Sequence, residues 1–237
     1  MTELILSFTT EITQDGAWVL GAANLTADAS GNNITLEEAT NTFGTVALSG
    51  TDASIIEAAS TDLGASTLSN LTVISTDAIS TSGTVSVSGK GDFETRKDGG
   101  AAITIANNSE MAEISAESRN AADNANAAGN ISLSLAESST LDQISTTGTV
   151  TLTGANTKTF TQTGTSTLTA NELLLLGAGA THTLSAGTNT FATIAADTGN
   201  ISVSDSSGVV IGSINGTNGI TTTGYTGLDI TGTVTQT

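Results

Sequence analysis

The phrase GTVALSG, at Gly44 to Gly50, returns as GTVSVSG at Gly83 to Gly89 and GTVTLTG at Gly148 to Gly154, then in part as GTVTQT from Gly232. Successive first glycines lie 39, 65 and 84 positions apart. These gaps are close to two, three and four times a unit of about 20 to 21 residues, the length of one turn in a repeat protein. A chain built on such a lattice folds by stacking like on like.

Within the lattice the dominant period is two. AITIAN, NISLSLAES, TVTLTG, STLTAN, THTLSAG and NISVSDSSG alternate apolar residues with Thr or Ser and end at Gly, Asn or Asp, the pattern of short half-buried strands closed by turns. Two-residue hairpin signals are confined to QDGA, KDGG and INGT, so hairpins are not the main connection. Short strands joined by bends, about 20 residues per coil, stack at about 4.8 Å into parallel sheets around a narrow aliphatic core. The expected fold is therefore all-β, a right-handed parallel β-helix of 11 or 12 coils and roughly 55 Å. In GTVALSG, Val46 and Leu48 point inward, Thr45 and Ala47 outward, and the glycines mark corners.

The first 22 residues, with Phe8 and Trp18, read as an N-terminal cap or first coil, and residues 23–237 as the repeat region. SEMAEISAESRNAADNANAA, from Ser109, breaks the alternation, so an insertion or short helix is expected near 109–130. The C-terminal GYTGLDITGTVTQT still reads as repeat, as expected for a segment cut from a longer solenoid.

Composition narrows the partners. A net charge of −18 with five basic residues leaves little to bind nucleic acid or an anionic membrane. The longest apolar run, LLLLGAGA at Leu173 to Ala180, is too short to insert in a membrane. Without cysteine there is neither a disulfide framework nor a thiolate metal site. Asn-x-Ser/Thr triplets such as NLT and NIS are expected by chance in a chain this rich in Asn and Thr, and carry no functional weight.

Few stretches carry chemistry. GKGDFETRKDGG holds Lys90, Asp92, Glu94, Arg96, Lys97 and Asp98. It reads first as an exposed, self-neutralising loop, with a projecting binding loop or an acid/base site as the functional alternative. His182, the single histidine, alternates with Thr181 and Thr183. It reads as a surface or satisfied core residue, not a catalytic one. No cofactor is expected; Ca²⁺ is the one ion that corners such as NLTADASGNN and ADTGNISVSDSSG could take, and the Gly-Gly-x-Gly-x-Asp nonapeptide that announces it is absent.

From Asn41 to Phe93, NTFGTVALSGTDASIIEAASTDLGASTLSNLTVISTDAISTSGTVSVSGKGDF resembles the degenerate repeats of large bacterial exoproteins similar to filamentous haemagglutinin. NTKTF at Asn156 and TNTFATI at Thr188 extend the likeness. The resemblance implies a right-handed parallel β-helix secreted through an outer-membrane partner. It further implies an extracellular, cell-surface location and work as an adhesin or stalk, with a cell-surface receptor, a glycan or like chains as partners. No secretion domain, Arg-Gly-Asp tripeptide or effector segment accompanies it. The function expected is thus structural and adhesive, without catalysis. The alternatives are a filament subunit joined end to end, a polysaccharide-processing β-helix, and an ice-binding array of outward threonines that includes Thr151 and Thr165.

Overall fold

The computed structural model describes residues 2–237. Among them are 23 strands and no helix, hence none long and apolar enough to cross a membrane. All strand pairings are parallel except one hairpin and one isolated bridge. The strands wind into a β-solenoid of about 11 turns with coils of about 21 residues.

One column of inward side chains measures the whole stack. It runs from Leu4 through Leu25, Val46, Leu63 and Thr81 to Ile105, then Leu133, Leu152, Leu175, Ala196 and Ile220, each over the last. Most of its members are fully buried. The spacing is irregular: 17 residues separate Val46 from Leu63, and 28 separate Ile103 from Ile131. Parity is kept nonetheless, because a slip of one residue would turn every inward side chain out. The inward Val46 and Leu48 and the outward Thr45 and Ala47 are as the alternation predicts.

The repeated glycine follows from the corner it makes. Asn24 Oδ1 accepts the N–H of Thr45, one coil on, at 3.1 Å, and a Cβ on Gly44 would sit 2.8 Å from that oxygen. The same device recurs where Asn130 receives the N–H of Thr149 beside Gly148, Asn70 that of Lys90 beside Gly89, and Asn200 that of Tyr225 beside Gly224. The triplets Asn24-Leu25-Thr26, Asn70-Leu71-Thr72, Asn130-Ile131-Ser132 and Asn200-Ile201-Ser202 are therefore corner caps followed by strand starts, which is why they recur.

Two sequence expectations are corrected. Gly89 to Arg96 is not a loop but the second half of the strand Val85–Arg96, because Phe93 and Thr95 fill inward positions and put every charge on the outward ones. Similarly, Ser109 to Arg119 completes the strand Ile103–Arg119 rather than a helix, and the excursion shrinks to a turn that ends with the antiparallel bridge Arg119 to Asn126. INGT, in contrast, is a hairpin. Asn215 and Gly216 take φ values of 49° and 86° between Ser213–Ile214 and Thr217–Asn218, as a type I′ turn requires. The hairpin covers the outward Leu174 and Ala195 with Ile214, giving a small second core outside the solenoid.

Residues 2–22 run one coil ahead of Asn24–Asp28. Glu3–Ser7 pairs with Asn24–Asp28 and Trp18 packs against the core, while Phe8 and Val19 remain exposed. Leu175→Ala, which removes a fully buried rung, is expected to destabilise by about 2–5 kcal/mol. Ser132→Ala on the neighbouring outward column is expected to change stability by less than about 0.5 kcal/mol. Urea unfolding of both variants checks the assignment.

Candidate functional site

The strand Val85–Arg96 brings Lys90, Asp92, Glu94 and Arg96 onto one outward face, and the next coil lays Glu113, Ser115, Glu117 and Arg119 over them in register. Three of the five basic residues lie here. Parallel stacking sets Glu94 over Glu117 and Arg96 over Arg119, and directly opposed like charges repel. The face is neutralised along strands and from its margin. Arg96 bonds Glu94 on its own strand. Asp123, held at a φ of 51° in the turn after Arg119, reaches back to bridge both arginines, Oδ2 to Arg96 Nη2 at 3.1 Å and Oδ1 to Arg119 Nε at 3.0 Å. Lys90 spans two coils to Asp142 at 2.7 Å.

Burial shifts the neighbouring acids. Partial desolvation raises the Asp92 carboxyl above the usual range, Lys90 opposing and Glu94, Asp142 and Glu113 adding to the rise. Glu117 is raised in the same way, with Arg119 opposing. Desolvation disfavours the charge of Lys90, but its hydrogen bond to Asp142 and the negative charges of Asp92, Asp142 and Glu113 raise its pKa. Lys97 and Asp98 lie in the exposed turn that follows; Lys97 pairs with Asp77 at 2.8 Å, and Asp98 receives the N–H of Ala121. The six sequence-predicted residues thus split into a strand face and a turn. Among the described residues, no group of three His, Cys, Asp or Glu is placed to hold a metal ion.

A second constellation escaped the sequence reading. Asn41, fully buried, exchanges two hydrogen bonds with the amide of Gln14 (2.8 and 2.9 Å), donates to Leu36 O and Ile56 O, and accepts Trp18 N–H. Asn189 does the same with Gln162 (2.9 and 2.8 Å), Leu184 O, Ser204 O and the N–H of Leu168. Two residues on, Phe43 N–H donates to Glu57 Oε1 at 2.8 Å, and Phe191 N–H donates to Asp205 Oδ2 at 2.9 Å. Gln14 and Gln162, Asn41 and Asn189, Phe43 and Phe191, and Glu57 and Asp205 are all 148 positions apart, about seven coils. NTF in both places was the visible part of this signal; the glutamine 27 residues earlier was not.

His182 occupies the place that Ile34 holds in the first copy. It is inside, wholly buried and stacked on Phe160 with ring centroids 5.5 Å apart. Leu176 O accepts from Nε2 at 3.1 Å, whereas Nδ1 has no partner among the described residues. The histidine is a core residue but only half satisfied. Burial pushes its pKa down to about 4, against the hydrogen bond to Leu176.

The outward threonines do not form one flat array. The column Asp62, Ser80, Thr104, Ser132, Thr151 continues into Leu174 and Ala195 under the hairpin. Thr165 stands exposed among Thr163 to Ser166, where the coil register shifts.

Residues 2–49 and 50–112 each match a family described as repeats of unknown function, DUF5649. No curated protein and no solved structure matches the chain. The match covers two stretches of the solenoid, whereas the corner relation joins residues 14–57 to 162–205 and so reaches beyond it.

Asn41→Ala and Asn189→Ala each leave a half-buried glutamine amide without its partner and two carbonyls without their donor, and each is expected to destabilise by about 3 kcal/mol. Chemical denaturation of both tests whether the corners are equivalent. For His182 the folded pKa lies below the unfolded one, so the unfolded state takes up the proton first. Stability is lost as pH falls from about 6.5 to about 4. His182→Ile is expected to remove roughly 3 kcal/mol of that loss, measured as the pH dependence of urea unfolding.

Proposed function

We propose that this chain is a rigid shaft segment of a secreted bacterial surface protein, with a structural and adhesive role and no catalysis. The observation that carries this reading is the eleven-level inward column from Leu4 to Ile220. A continuous dry core ties every coil to the next and resists bending, which suits a part that sets distance. The likeness of Asn41 to Phe93 to haemagglutinin-like exoprotein repeats supports the extracellular, cell-surface setting. The site chemistry agrees. His182 is sealed in the core, and the charged face spends its acids on its own bases. The surface clefts, of 160 to 350 Å³, are open depressions between coils.

Recognition then falls to outward faces and turns, with a cell-surface receptor, a glycan or a like chain as partner. The test is electron microscopy of the purified chain together with binding of chain-coated beads to cells and to immobilised glycans. Rods of roughly 50 Å that bind cells or glycans without altering them are the expected result. Turnover of a polysaccharide, or flexible particles without a rod shape, would overturn the proposal.

A further inference from the structure

Glu57 and Asp205 stand in the same place in the two corners, yet their surroundings differ. Asp205 Oδ2 accepts Phe191 N–H, and its Oδ1 accepts the N–H and the hydroxyl of Ser207 at 2.7 and 2.8 Å. The residue 148 positions before Ser207 is Ala59, which has no hydroxyl to give. Glu57, fully buried, therefore holds Phe43 N–H on Oε1 and has no hydrogen-bond partner on Oε2. The neighbouring Thr61 hydroxyl is buried and likewise unpartnered.

We propose that the Glu57 corner is a proton-operated latch, closed while the carboxyl is neutral and loosened when it ionises, and that the Asp205 corner lacks this response. A proton on Oε2 leaves a neutral carboxyl in the dry corner, beside the Thr61 hydroxyl that can donate to it or accept from it. Ionisation places a full charge in a dry corner with only the Phe43 N–H and the Thr61 hydroxyl to hold it, an unfavourable burial. Burial pushes the Glu57 pKa up to about 7, with Thr61 and Phe43 opposing. No charged neighbour contributes to that rise. Glu37 and Glu38 on the preceding coil are exposed, and Asp52 on the same strand faces outward to Asn70. On the following coil Asp62 bonds Thr45 and Ser82, and Asp77 is paired with Lys97.

The sign follows from the two states. The folded pKa lies above the unfolded value of 4.5, so the folded corner holds its proton longer, and its stability falls as pH rises from about 4.5 to about 7. The first coils of the rod are then firmest in a mildly acidic surrounding.

Amide exchange at Phe43 and Phe191, corrected for the intrinsic pH dependence of exchange, compares the two corners in one molecule. The opening constant at Phe43 is expected to rise roughly 50-fold between pH 5 and 8, with no comparable rise at Phe191. Ala59→Ser, which restores the hydroxyl of the other copy, and Glu57→Gln, which keeps the acceptor without the charge, are each expected to flatten the Phe43 response. Equal pH responses at Phe43 and Phe191 in the unaltered chain, or an unchanged Phe43 response in both variants, would overturn the latch.

Discussion

Everything in this fold depends on one arrangement: each coil's strand N–H and C=O groups find their partners on the coils before and after it. A buried backbone group left unpaired costs as much as a lost hydrogen bond or more, so a coil may change length but must come back in register. The steps of 17 to 28 residues between equivalent positions obey this rule. Surplus residues leave the ladder at corners, as in the turn after Arg119 and the hairpin at Asn215 and Gly216. The Asn–Gly corner keeps the count, since the asparagine oxygen catches the first N–H of the next coil and the facing position has no room for a Cβ.

The Gln–Asn–Phe–acid corner solves a harder case, in which a polar cluster is buried instead of being left at the surface. Paired amides of Gln14 and Asn41, or of Gln162 and Asn189, satisfy each other and still reach two carbonyls and one N–H. A network so fully paired stabilises, whereas a half-paired one is a liability. The two copies bracket that boundary. Ser207 completes the bonding of Asp205, and Ala59 cannot do so for Glu57. His182 in the place of Ile34 is a similar departure, tolerated because Phe160 stacks on it and Leu176 O accepts a hydrogen bond from its Nε2.

Much of this was legible in the sequence. Period-two alternation around a repeated GTV phrase specifies parallel stacking, and Val46 and Leu48 point as that pattern demands. The charged stretch at Lys90 was misread because charge density was weighed above parity. Gly91, Phe93 and Thr95 sit at inward positions, so the four charges from Lys90 to Arg96 did not interrupt the strand. The same holds for Met111, Ile114 and Ala116 in the stretch expected to insert. The asparagine caps were hidden by their likeness to chance triplets. The Gln14–Asn41 pair was hidden by distance, because coil length varies and a contact 27 residues apart has no fixed period to betray it.

Parallel in-register stacking also explains why charge is so sparse here, at 12% of the chain. In a solenoid an outward residue faces its equivalents one coil above and below, about 4.8 Å away, so a charge kept through successive coils meets its own sign. Glu94 over Glu117 and Arg96 over Arg119 show the consequence, since each pair needs neutralising from the side. The solution is local: an acid two residues along the strand for Arg96, and Asp123 brought back across both arginines by the turn. Thr and Ser avoid the problem altogether, because a hydroxyl can donate to or accept from its stacked neighbour. The Thr- and Ser-rich outer face is thus the form that a stacked register favours, and the Lys90 to Arg119 face exists where a long coil supplied a turn to neutralise it.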